Sequence, residues 1–295
     1  MFDGLCAFPL TPIVDERIDL KALASLVSRA AEAGVDSLGV LGSTGNYAYL
    51  SRDERRAVLE AAVGAADGVP IIAGVGAVRT RDVLAHVEDA QTAGASALLL
   101  APVSYQKLSE AEVLGLYKDV SGASSVPIVV YDNPVTTGFT FSDGLYSRLA
   151  DIPAIASIKI PPPLSGQASA RLGELRSLLP ERISVGVSGD WAAAESLLAG
   201  CDAWYSVVAG VLPGKAKVIA DHARAGRLDL ASEASKSLEP VWALFRRHGS
   251  LRVTAAIAEQ LGLVSPASLP LPLHGLDADG RLEVADAIRR CGLDA

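Results

Sequence analysis

The sequence predicts an α/β protein built as a (β/α)8 barrel, the TIM-barrel architecture, with a C-terminal helical extension. Short apolar runs alternate eight times with amphipathic helical patterns, which is the signature of a parallel sheet wound with helices. Runs such as Ile71-Ile72-Ala73-Gly74-Val75 and Ala97-Leu98-Leu99-Leu100 show no polar alternation, so both faces of each strand are covered. Eight such units in roughly 225 residues fit the size of the closed barrel. The barrel is therefore assigned to residues 1–225, and a helical segment packed on it to residues 226–295.

Each element has a local reason. Leu5-Cys6-Ala7-Phe8 is a first strand stopped by Pro9, and Asp19 then precedes an apolar stripe of Leu20, Leu23, Ala24, Val27, Ala30 and Ala31 at helical spacing. Gly34 ends that helix. Ser37-Leu38-Gly39-Val40-Leu41 is the second strand, running into Gly42-Ser43-Thr44-Gly45-Asn46, and Ser51 with Glu54 forms a capping box for the next helix. After the third strand a helix runs from about Arg79 to Ala93, with Gly94 behind it. The fourth strand leads through Pro102-Val103-Ser104-Tyr105 to a second capping box, Ser109 with Glu112. Pro127-Ile128-Val129-Val130-Tyr131 is the fifth strand, followed by a loop through Gly138 and a helix from about Ser142 to Ala150. The sixth is Ala154-Ile155-Ala156-Ser157-Ile158-Lys159-Ile160, closed by Pro161-Pro162-Pro163, and a helix from about Ser169 to Leu179 follows. Ile183 to Val187 is the seventh, with Ser188-Gly189-Asp190 opening the helix through Ala199, and Ala203 to Val208 is the eighth. Beyond it only helical patterns remain, over Leu228 to His248, Thr254 to Gln260 and Leu282 to Arg290.

Composition narrows the function. Half the residues are hydrophobic and 20% are charged, with a net charge of -8 at pH 7, as in an ordinary acidic soluble protein. Arginines are scattered over predicted helices and read as solvated faces, so nucleic acid is not an expected partner. Pro and Gly interrupt every apolar run before membrane-spanning length, and the N-terminus lacks the basic and apolar regions of a signal peptide. No membrane partner is expected, and the location implied is cytoplasmic. Cys6, Cys201 and Cys291 are far apart and read as core thiols, and His86, His222, His248 and His274 stand in no ligand spacing, so no metal is implied.

The chemistry centres on Lys159. In a barrel of this type the strand-to-helix loops converge on one mouth, where active-site groups gather. Lys159 ends a buried strand there. Burial favours the neutral form of an amine, which is the nucleophilic one, and a neutral lysine attacks ketones to give a carbinolamine and then a protonated Schiff base. A lysine at a strand end also suits snorkelling to solvent. Ser43 and Thr44 follow the second strand in a short polar turn whose hydroxyls and N–H groups suit a carboxylate, although a plain strand-to-helix turn looks the same. Tyr131 ends the fifth strand, as a core ring or a proton carrier, and Tyr105 reads equally as a surface tyrosine.

Taken together, Gly42-Ser43-Thr44-Gly45, Tyr131-Asp132-Asn133-Pro134, Ile158-Lys159 and Ser188-Gly189-Asp190 resemble the dihydrodipicolinate synthase and N-acetylneuraminate lyase family of class I, Schiff-base aldolases. The resemblance covers the whole chain. It implies that Lys159 forms an imine with pyruvate or a related 2-oxo acid, that Tyr131 relays protons, and that no cofactor beyond the covalent imine is used. It further implies that Ser43 and Thr44 bind the substrate carboxylate, with Thr136 and Ser206 in the substrate-binding set. Thr44 is expected to link Tyr131 to a second tyrosine, best matched by Tyr105, from a neighbouring subunit. The implied partners are a small 2-oxo acid and an aldehyde, and the implied assembly is a homotetramer built as a dimer of dimers.

The departures bear on substrate. Asn46 and Ile160 stand where glutamates are usual, and Thr136 stands where the lysine-pathway synthase carries an arginine for a substrate carboxylate. No arginine occurs between Arg81 and Arg148. The first expectation is thus aldol cleavage or condensation of a sugar-derived 2-oxo acid. The alternatives are 4-hydroxy-tetrahydrodipicolinate synthesis from pyruvate and aspartate semialdehyde or, in another class, a non-catalytic barrel that binds a small acid.

Overall fold

The eight apolar runs become eight parallel strands that close on themselves. The computed structural model describes residues 2–293. Its barrel strands are β1 (Gly4–Ala7), β2 (Ser37–Val40), β3 (Ile71–Gly74), β4 (Ala97–Leu100), β5 (Ile128–Tyr131), β6 (Ile155–Ile160), β7 (Ser184–Val187) and β8 (Ala203–Ser206). Each pairs with its neighbours in sequence, and β1 completes the ring by pairing with both β8 and β2.

The barrel helices are α1 (Leu20–Glu32), α2 (Arg52–Ala65), α3 (Thr80–Ala93), α4 (Glu110–Ala123), α5 (Asp143–Ala150), α6 (Ala168–Leu178), α7 (Ala193–Leu198) and α8 (Pro213–Arg224). Their ends form where the capping residues stand. Asp19 accepts from Ala22 N–H, and both capping boxes, Ser51 with Glu54 and Ser109 with Glu112, are closed in both directions.

Apolar side chains sort into two shells by strand alternation. Leu5, Leu38, Val40, Leu98, Ile158, Val185 and Trp204 face outward against helix residues such as Val27, Val58, Val83 and Leu175. Each fully buried aliphatic side chain here contributes about 1.5–3 kcal/mol. Cys6, Phe8, Ile72, Leu99, Val129, Tyr131 and Tyr205 fill the barrel itself. All three cysteines are buried free thiols.

The structure differs from the sequence reading in several places. The pattern from Leu228 to His248 is two helices, α9 (Leu228–Ser237) and α10 (Glu239–His248), because Pro240 has no N–H to continue the ladder and its ring crowds the preceding turn. A two-stranded hairpin, Ile13–Val14 with Arg17–Ile18, lies between β1 and α1. The loop after β5 contains a one-turn helix, Pro134–Thr137, with Gly138 in the left-handed region behind it. The stretch opened by Asp190 begins as a 3-10 turn before α7. The remaining helices are α11 (Ser250–Gln260) and α12 (Ala278–Arg290), and apolar groups of α10 to α12, among them Trp242, Val253 and Val284, join the outer shell of the core. Among the described residues no helix is long and apolar enough to cross a membrane.

Candidate active site

Strand register sets the centre of the site. Tyr131 and Lys159 are Cα partners across β5 and β6, so their side chains leave the same face of the sheet side by side. A bulge selects the residues of β6 that share this face. Ile128 pairs with Ile155 but Val129 pairs with Ser157, leaving Ala156 as the extra residue. Ile155, Ile158 and Ile160 can then all face the outer shell, while Ser157 and Lys159 face the barrel axis.

Lys159 is 3% exposed and lies among aromatic faces. Its Nζ is 4.0 Å from the ring centroid of Phe8, 4.4 Å from that of Tyr131 and 5.6 Å from that of Tyr205. Among the described residues it joins no ion pair. Tyr205 is fully buried, and its hydroxyl meets Ser157 Oγ at 2.7 Å. Its ring lies over Gly186, where a Cβ would stand 2.2 Å from Cε2, so only glycine fits beneath it.

Tyr131 carries the polar end of the site. Its hydroxyl is 2.8 Å from Ser43 Oγ and accepts a hydrogen bond from Asn133 Nδ2 at 2.9 Å. The turn that presents Ser43 is held from behind by Arg55 of α2, which donates to the Tyr47 carbonyl at 2.9 and 2.7 Å and to the Gly76 carbonyl at 3.0 Å. The guanidinium also lies 5.1 Å from the Tyr47 ring centroid. Burial pushes the Arg55 pKa down to about 10. This corrects the reading of the helix arginines as solvated, because Arg55 is 5% exposed and serves the turn.

On the far side of the mouth Asp190 ties two loops together. Its carboxylate accepts from Trp204 Nε1 at 2.8 Å, Val207 N–H at 3.2 Å and Val208 N–H at 2.8 Å, while full burial raises its pKa. Behind β5, Asp132 accepts from the Tyr146 hydroxyl through Oδ2, its Oδ1 has no partner among the described residues, and burial pushes its pKa up to about 6.

Comparison with known proteins identifies the frame. The Dihydrodipicolinate synthetase family model matches residues 1–291. The chain belongs to this family. It is 32% identical over 289 residues to a 4-hydroxy-tetrahydrodipicolinate synthase of Methylococcus capsulatus, covering 97% of each chain. The crystal structure of a dihydrodipicolinate synthase from Agrobacterium tumefaciens superposes with a TM-score of 0.95 at 44% identity over 98% of each chain. A chloride-inhibited dihydrodipicolinate synthase from Acinetobacter baumannii, solved in complex with pyruvate, superposes with a TM-score of 0.91 at 27% identity over 99% of each chain. The protein is thus a lyase of the dihydrodipicolinate synthetase family on a (β/α)8 barrel.

Among the residues singled out by the family resemblance, Lys159, Tyr131 and Ser43 come together. Thr44 is buried, and the hydroxyl that meets Tyr131 is that of Ser43. Tyr105 is 91% exposed. Thr136 is exposed on the one-turn helix, with its hydroxyl on the Asn133 carbonyl at 3.3 Å. Ser206 is the last residue of β8. It is fully buried, and its Oγ accepts from Ala209 N–H at 3.0 Å, so the hydroxyl caps a turn. The sequence reading did not single out Phe8, Tyr205 or Arg55, and it named Asn133 only within the Tyr131-to-Pro134 motif. Phe8 and Tyr205 were legible only as apolar strand residues, and Arg55 carried no distinguishing signal.

Proposed function

We propose that the protein is a Schiff-base aldolase acting on pyruvate or a related 2-oxo acid, with Lys159 as electron sink and Tyr131 as proton carrier. The observation that carries this reading is the in-register pairing of Lys159 with Tyr131, whose phenol is held at Ser43 Oγ. Nζ adds to the C2 carbonyl, Tyr131 delivers a proton to the departing oxygen, and loss of water leaves an iminium. In cleavage, the C3–C4 electron pair flows into that iminium as the C4 hydroxyl loses its proton, releasing an aldehyde and an enamine. Protonation at C3 and hydrolysis then return the free lysine. The imine nitrogen itself takes up the electron pair, so the reaction needs neither metal nor organic cofactor. The Ser43–Thr44 turn is assigned the substrate carboxylate, and pyruvate as the 2-oxo acid is supported by the pyruvate complex of the A. baumannii neighbour.

Thr136 guides the choice of second reactant. An aldehyde with its own carboxylate calls for a second anion site, where arginine offers a planar charged fork and threonine one neutral hydroxyl. Losing a charge-assisted contact costs about 1.5–3 kcal/mol. A hydroxylated, sugar-derived 2-oxo acid is therefore the first substrate class. The second reading, 4-hydroxy-tetrahydrodipicolinate synthesis, is favoured by the activity named for the M. capsulatus relative. Side-by-side kinetics with sugar-acid aldol substrates and with pyruvate plus aspartate semialdehyde test the choice. Higher kcat/KM for a sugar acid supports the first reading, and higher kcat/KM for the semialdehyde replaces it with the second.

A further inference from the structure

We propose that Phe8 decides which 2-oxo acid Lys159 uses as carbon nucleophile, admitting an unsubstituted methyl group at C3 and excluding a larger one. The proposal rests on the Schiff-base reading above. Phe8 directly follows β1, is 2% exposed, and lies on the barrel axis with Ile72, Leu99, Val129 and Tyr205. Lys159 Nζ stands 4.0 Å from its ring centroid, so an imine carbon bonded to Nζ has the phenyl group as its nearest floor.

The ring cannot swing aside. A Cβ on Gly39 would stand 2.3 Å from Phe8 Cζ, and one on Gly42 would stand 2.8 Å from Cδ1, so the ring occupies space that two glycines leave free on the β2 side. Tyr205 meets it edge-on, with centroids 6.1 Å apart and planes at 76°, and Tyr205 is itself pinned by Ser157. Interiors packed at crystal-like density resist an extra methylene group, because every route around it displaces another side chain.

The chemistry then sets the restriction. C3 of the enamine is bonded to C2 and must direct its new carbon-carbon bond toward the open mouth, where the second reactant arrives. As C3 becomes tetrahedral its other substituents bend away from the new bond, toward the floor. Hydrogens fit there, whereas a methyl group meets the Phe8 ring.

The test reads enamine formation without needing the aldehyde. In D2O the enzyme exchanges C3 protons, one proton leaving as the enamine forms and one deuteron returning, and proton NMR follows this for pyruvate and for 2-oxobutyrate. Wild type is expected to exchange pyruvate faster by at least about tenfold, the lower end of the discrimination that one methylene gives in an apolar pocket. Phe8→Ala and the milder Phe8→Leu are each expected to raise the 2-oxobutyrate rate relative to pyruvate by about tenfold. Ile72→Val, elsewhere in the same interior, should keep the wild-type ratio. Should Phe8→Ala fail to fold, Phe8→Leu decides. An unchanged ratio in a folded Phe8 variant, or equal exchange of both acids by wild type, overturns the proposal. If wild type exchanges neither acid and borohydride traps neither, the Schiff-base reading falls and this inference with it.

Discussion

Ser43 Oγ and the Tyr131 hydroxyl lie 2.8 Å apart, joining the turn after β2 to the end of β5, 88 residues on in the chain. The contact fixes the phenol beside Lys159 without using Thr44. Tyr131→Phe should therefore leave the unfolding transition unchanged and slow turnover by a factor on the order of 10² or more, as for loss of a positioned proton donor. Ser43→Ala should slow it less, because Asn133 still holds the phenol. Steady-state kinetics on both variants check this, and near-normal turnover in Tyr131→Phe would remove the tyrosine from the mechanism.

Ser206 separates a structural from a substrate-binding hydroxyl. Its Oγ satisfies the buried Ala209 N–H, so Ser206→Ala should destabilise the fold by about 1–3 kcal/mol, the cost of an unmet buried donor. KM for the 2-oxo acid should not change. A KM rise of about tenfold without loss of stability would instead mean a substrate contact.

Two buried groups pull stability in opposite directions with pH. Burial pushes the Asp132 pKa up from 3.8 to about 6, so between those values the folded protein holds a proton that the unfolded chain has lost, and stability falls as pH rises through the window. Burial pushes the His86 pKa down from 6.5 to about 4, so the unfolded chain binds the extra proton and stability rises with pH over nearly the same range. Over that window the two groups therefore act against each other. Denaturant titrations from pH 4 to 6.5 should therefore show stability climbing with pH in Asp132→Asn and falling in His86→Gln. The same slope in both variants would show that these groups do not govern the window.

Much of this arrangement was legible in the sequence. The apolar run ending at Lys159, and the one ending at Tyr131, mark two strand ends because a strand covered on both faces leaves no polar alternation, and their adjacency follows from barrel order. What stayed hidden depended on direction. Ser43 and Thr44 are neighbouring hydroxyls, and only the backbone angles of the turn decide which one faces Tyr131. Arg55 looked like any helix arginine because its partners are carbonyls 8 and 21 residues away, which leave no mark in composition. Ser206 was ambiguous because a strand-end serine reads the same whether it caps a turn or meets a ligand. The bulge at Ala156 was likewise invisible, although it selects the inward face of β6.

Tyr105 points to assembly. It is 91% exposed after β4, and Val78 and Tyr49, after β3 and β2, are 63% and 48% exposed on the same rim of loops. We propose that a second copy covers this rim and receives Tyr105, within a dimer of dimers, since closed symmetric assemblies are the norm. Light scattering should give the tetramer mass, and Tyr105→Phe should lower turnover without changing that mass. A fully active monomer would contradict the assignment.

The most direct measurement is borohydride reduction of the enzyme with pyruvate, followed by mass spectrometry of the peptides. The account predicts a stable adduct on the peptide carrying Lys159 in wild type and none in Lys159→Ala. Equal labelling of the two proteins, or an adduct confined to another lysine, would contradict it.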